Sequence, residues 1–256
     1  MRLTSLIAIG NIALASFSPL PLTAQTPRRV DNENAAWLAY TGVHPISKSW
    51  RLQLEAQLRQ TEGANQPQQR LYRTGLLRVL SPVARVGFGY AHTRTYPPEE
   101  FVSNPVPFFE HRTYQQFDLR QTTGPVVWDN RYRLEQRWTE RVTTVGPGTG
   151  RRQGWTYTNR ARYMLKATIA PGGGAPTAGE PYLIAFDELF VNWGGNVRGN
   201  VFDQNRLFGG IGYRLRPTLG LEAGYLNHLV IRANGTDVER HNTLLVGFSS
   251  DLPLRK

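Results

Sequence analysis

The chain has no cysteine among its 256 residues. Disulfide staples, thiolate metal sites and cysteine nucleophiles are therefore excluded. Lysine is nearly absent too: Lys48, Lys166 and Lys256 are the only three, and every other cation is arginine. Past the N-terminal segment no apolar run approaches the roughly 20 residues a spanning helix needs, which argues against a helical membrane protein. Serine is sparse after that segment, at Ser47, Ser49, Ser81, Ser103, Ser249 and Ser250. None sits in a glycine-flanked nucleophile elbow. An acyl hydrolase embedded in a membrane is the enzymatic alternative, and it lacks a nucleophile set; the chain is expected not to be an enzyme.

The N-terminus resembles a secretory leader. Arg2 supplies a positive start, Leu3 to Phe17 is apolar but interrupted by Asn11, and Leu22-Thr23-Ala24 offers a small residue before a cut. Residues 1–24 are expected to be a cleaved signal peptide, and residues 25–256 a single exported domain with no linker inside it.

The strongest pattern in that domain is alternation. From Val126 to Arg141, Val126, Trp128, Tyr132, Leu134 and Trp138 share one parity. Asp129, Arg131, Arg133, Glu135, Arg137 and Arg141 share the other. Successive side chains of a strand point to opposite faces, so this segment has one aromatic face and one ionic face. Ladders of the same kind recur at Trp50–Arg59, Ala84–Ala91, Arg112–Arg120, Trp155–Leu165, Arg206–Arg214, Leu219–Tyr225 and Leu244–Phe248. Those at Leu71–Leu80 and Tyr182–Trp193 are less clean, disturbed by Leu76 and Leu77 and by Asp187. Short Pro- or Gly-containing turns alternate with longer polar connections, with Ala170–Pro181 as a long exception.

Long strands, apolar on one side and ionic on the other, suit a wall between lipid and a wet interior. The expected fold is all-β: a transmembrane, antiparallel, up-and-down β-barrel in the bacterial outer membrane. Periodicity gives about eleven strands. Single-chain bacterial barrels have even counts, so twelve is the expectation and ten the fallback. A soluble lipocalin-like barrel is the competitor, with the opposite polarity: apolar inside and polar outside.

The ionic parity supplies the candidate functional residues. Expected to face the lumen are Arg51, Glu55, Arg59, Arg112, Asp118, Arg120, Arg131, Arg133, Glu135, Arg137, Arg160, Arg162, Glu188, Arg206 and Glu222, with Arg214 beside them. Rows of arginine would not be tolerated against lipid, where each costs roughly 2–4 kcal/mol near the midplane. One reading is a narrow channel favouring small anionic solutes. The other is a structural or interaction barrel whose lumen is closed by its own ion pairs. The net charge of +11 does not argue for nucleic acid, because the arginines lie within strand ladders rather than in a patch. Outer-membrane lipid is the expected surrounding partner.

Five histidines complete the inventory. His44 is read as a solvated turn residue, and His92, His111, His228 and His241 as surface or rim residues. His228 and His241 fall on paired strands; a metal site there would need a third or fourth ligand, for which Asp237 and Glu239 are the only local candidates, and surface or rim positions are the better reading. No metal or cofactor is expected. Trp37, Trp50, Trp128, Trp138, Trp155 and Trp193 are read mainly as aromatic belts at the membrane interfaces.

An ordered set of short segments also resembles a known family. It runs from Trp37 and Trp50–Arg59 through Glu110–Gln116, Asn130–Arg137, Arg160-x-Arg162-Tyr163, Asp187–Asn192 and Phe202–Arg206 to Gly224-Tyr225-Leu226 and His241-Asn242. Together these are similar to the bacterial family called domain of unknown function 2490. The resemblance implies an outer-membrane barrel and supplies no activity. One departure is the tail Ser249–Lys256 after Phe248, where barrel chains often end on an aromatic.

Overall fold

The computed structural model describes residues 28–98 and 105–254. The expected signal peptide lies outside the described residues. Among these residues there are eleven strands: β1 (Arg29–Pro45), β2 (Trp50–Thr61), β3 (Gln66–Val79), β4 (Ala84–Thr95), β5 (Phe108–Thr123), β6 (Val126–Gly146), β7 (Thr149–Ile169), β8 (Pro181–Trp193), β9 (Phe202–Arg216), β10 (Leu219–Ile231) and β11 (Asp237–Ser250). A 3-10 turn at Glu62–Ala64 lies between β2 and β3.

Each strand pairs with the next, and β1 pairs with β11, so the sheet is a closed barrel. The count of eleven corrects the expected twelve. Sequential neighbours are antiparallel, whereas β1 and β11 run parallel, from Arg29 beside Asp237 to Gly42 beside Ser250. The even-number rule assumes antiparallel closure. A parallel ladder satisfies backbone donors and acceptors as well, so an odd barrel is left without a free edge.

Alternation decides the faces. On β6, Arg133 and Glu135 are buried while Tyr132 and Leu134 are exposed. Around the outside run Leu38, Leu58, Tyr72, Phe88, Leu183, Leu207, Ile211, Leu221, Tyr225 and Leu244, all exposed. The connections after β2, β4, β6, β8 and β10 leave from one end of the barrel, the long-loop end, and four of the five at the other, short-turn end are tight. Residues 170–180 remain the long exception there.

Aromatic rings lie flat on the inner wall where glycine replaces a side chain. A Cβ on Gly75 or Gly89 would collide with the Tyr114 ring or hydroxyl, and one on Gly212 would enter the Tyr182 ring. His44 corrects its expected role. It is buried rather than solvated, because the chain's tail continues alongside β1: its Nδ1 is 2.9 Å from the Leu252 carbonyl oxygen, and Leu254 N–H donates to Pro45 O. Its Nε2 lies 2.8 Å from the Tyr40 hydroxyl.

Candidate functional site

The barrel interior is built from arginine, carboxylate and aromatic side chains on the inward parity. Glu135 on β6 is its centre and is fully buried. Arg160, its register partner on β7, donates from Nε at 2.9 Å and Nη2 at 2.5 Å, and Arg162 donates from Nη1 at 2.7 Å. Arg73 on β3 approaches the same carboxylate at 3.9 Å and pairs with Glu55 on β2. β3 and β6 are not neighbours, so this contact crosses the interior.

Three further carboxylates extend the network. Glu188 on β8 receives Arg162 at 2.7 Å, Arg131 at 2.9 Å and Arg206 at 3.5 Å. Asp203 on β9 receives Arg160 at 2.9 Å and Arg137 at 3.8 Å. Glu110 on β5 ties Arg112 at 2.8 Å to Arg137 at 2.5 Å. The guanidinium planes also stack: Arg133 lies over Tyr114 at 4.6 Å, and Arg162 and Arg206 lie over Phe190 at 4.5 Å each. This geometry explains the near-absence of lysine, since only the planar fork both bridges two carboxylates and stacks on a ring.

The network divides the interior. A cavity of about 270 Å³ on the long-loop side includes Arg59, Arg112, Arg137, Arg206 and His228 in its lining. Another of about 210 Å³ on the short-turn side includes Arg131, Lys166, Glu188 and Glu222. Arg73, Tyr114, Arg133, Glu135 and Phe190 belong to neither and are each at most 5% exposed. They pack together as a waist between the two cavities, and Arg206 lines both.

The sequence candidates divide accordingly. Glu55, Arg112, Arg131, Arg133, Glu135, Arg137, Arg160, Arg162, Glu188 and Arg206 are brought together in the network. Arg59 is buried beside it and lies 4.0 Å over the Trp37 ring. Glu222 forms a separate cluster with Lys166 at 3.4 Å and the Tyr182 hydroxyl at 3.0 Å. The rest sit at the short-turn rim. Asp118 faces Arg85 at 3.6 Å, exposed Arg120 pairs with Asp129 at 2.7 Å, Arg51 donates to the Ser47 carbonyl at 2.7 Å, and Arg214 is 4.0 Å from Asp251.

Sequence reasoning missed Arg73, Glu110, Asp203, Tyr114 and Phe190 as members of the network. Arg73 lies in a ladder that reads apolar on both faces, and Asp203 is the extra residue of a bulge between Phe202 and Gln204, which breaks the parity. Three expectations need correction. Trp37 is buried inside rather than in a belt. His228 and His241 are interior rather than rim residues, with ring centroids 5.5 Å apart. His241 lies 3.1 Å from Glu239 and 3.3 Å from Glu33. β10 and β11 place them on the inward parity, which a reading of them as loop-flanking residues overlooks. His92 and His111 do lie outside, 5.0 Å apart and packed with Phe109, Tyr90 and Trp155. Among the described residues no group of three or more metal-ligating side chains is assembled.

Closure of the sheet on itself, with charge inside and apolar side chains outside, makes this an all-β closed barrel of eleven strands. The chain belongs to the family described as "Protein of unknown function (DUF2490)", which matches residues 34–239. No curated protein and no solved structure matches it.

Proposed function

We propose that the chain is an outer-membrane β-barrel whose lumen is closed at the waist by ion pairs, with a vestibule on either side. The observation that carries the membrane reading is polarity. Charged residues fill the inside, and large apolar residues cover the outside of strands 12 to 21 residues long. A soluble barrel has the reverse arrangement. The short-turn end then faces the periplasm and the long loops face outward. Export uses the leader, with cleavage after Ala24. The reading assigns no catalytic step.

The closed waist is supported by Glu135 and the arginines that converge on it. A gap large enough for a hydrated ion would leave these groups exposed to water. Purified protein in a planar bilayer is therefore expected to show no steady conductance. Stable anion-selective channels from the unmodified protein would overturn the closed waist. Release of the protein from membranes by washing without detergent would overturn membrane insertion.

A second reading is a gated channel for small anions. The cavities on both sides of the waist favour it, since only the central network separates them. Glu135→Gln distinguishes the two. Anion-biased conductance in this variant, absent from the parent, supports a gate; silence from a folded variant supports permanent closure.

A further inference from the structure

The long-loop vestibule carries more positive charge than its own carboxylates offset. Six arginines line it against three carboxylates. Glu135 and Glu188, outside its lining, offset Arg160 and Arg206, which leaves Arg59, beside Trp37, as the uncompensated cation. Arg59 lies 4.0 Å over its ring, Arg206 lies 5.3 Å from its centroid, and His228 meets it edge-on at 5.1 Å. Arg59 donates from Nε at 3.0 Å to Gln57, and no carboxylate among the described residues pairs with it. Buried cations normally have such a partner, because an unpaired one costs several kcal/mol.

Two polar atoms at the same place also lack partners. Arg206 and His228 are register partners on β9 and β10, each more than nine-tenths buried. Both touch Gln204 through one nitrogen: Arg206 Nη2 donates to Oε1 at 2.9 Å, and His228 Nε2 lies 3.1 Å from it. An amide oxygen only accepts, so His228 Nε2 carries the hydrogen and, in the neutral ring, Nδ1 presents a lone pair. Among the described residues Arg206 Nε and His228 Nδ1 have no hydrogen-bond partner. One is an obligatory donor and the other a free acceptor.

We infer that Arg59, Arg206 and His228 form a binding site in the loop-side vestibule for a phosphate group, taken either as free hydrogen phosphate or as a phosphomonoester in its singly protonated form. Its charged oxygens accept from the two guanidiniums, and its P–O–H donates to His228 Nδ1. This chemistry separates phosphate from sulfate, which has no proton to donate near neutral pH. The inference rests on the closed waist, which makes the vestibule a pocket rather than a passage.

The test is calorimetric titration of the full folded protein in detergent micelles with inorganic phosphate, and with sulfate for comparison. Saturable phosphate binding, with sulfate about tenfold weaker or more, is expected. Arg59→Gln should weaken phosphate about tenfold or more, and it leaves no acid unpaired. His228→Gln should remove the preference over sulfate. Arg120→Gln, at the opposite rim, should bind normally. Adding a phosphomonoester lipid identifies the source: competition points to a headgroup, and its absence to the free anion. Failure to bind phosphate, or equal binding by Arg59→Gln, overturns the site. Conductance measured on the same sample reports separately on the waist, so failure of the site and failure of the waist are distinguishable.

Discussion

Replacing Glu135 by Gln should destabilise the barrel more than any other single change of charge. The side chain is fully buried, and its two oxygens receive three guanidinium hydrogen bonds from Arg160 and Arg162 within 2.9 Å. Glutamine keeps the shape and one acceptor oxygen. It also turns an amide N–H₂ toward guanidinium donors and leaves the arginines with less negative charge than they need. Breaking a buried pair by removing one partner costs about 3–5 kcal/mol. Arg162 retains Glu188 and Arg160 retains Asp203, which places the expected loss near the lower end, about 3 kcal/mol. Asp129→Asn is the control. Its partner Arg120 is largely exposed, so the loss should stay under about 1 kcal/mol. Urea unfolding in lipid vesicles, followed by tryptophan fluorescence, measures both as midpoint shifts at constant slope. Adding Arg160→Gln to Glu135→Gln should cost less than the sum of the two single changes, since the double variant no longer buries that guanidinium against the lost carboxylate. An unfolding free energy for Glu135→Gln within 1 kcal/mol of the parent would refute the view that the waist is held by this carboxylate.

Gly212→Ala should destabilise by about 1–3 kcal/mol, because the new methyl enters the Tyr182 ring; in a Tyr182→Ala background the same change should cost much less, read by the same urea assay. Cysteine scanning is uncomplicated in a chain without thiols. In vesicles, Lys166→Cys in the short-turn vestibule should react with a water-soluble maleimide, whereas Leu134→Cys on the outer face should be protected. The reverse pattern would invert the assignment of faces. Phe190→Ala should loosen the waist, since Arg160, Arg162 and Arg206 all lie over its ring; a loss of about 3–5 kcal/mol is expected. A loss below 1 kcal/mol would show that the stacking is incidental.

The sequence by itself determined the class of fold and which side of most strands carries charge. Both are local properties: a period of two appears in any ten residues, and Arg131-x-Arg133-x-Glu135-x-Arg137 announces its own face. Family membership was also legible, because ordered short segments survive without knowledge of their contacts. The strand number was not. Periodicity points to eleven, and the preference for even barrels pulls the expectation to twelve; only the parallel pairing of Arg29–Gly42 with Asp237–Ser250 decides it. That pairing joins segments about as far apart in the chain as its length allows, and no local pattern encodes it. The waist was equally hidden. Alternation says that Glu135 points inward but not that Arg73, three strands away around the wall, reaches it. Trp37, His228 and His241 carry no charge pattern, so their burial beside Arg59 and Arg206 depends on how the barrel closes. Faces follow from successive residues on one strand, whereas partners across an interior follow from the register of every strand between them.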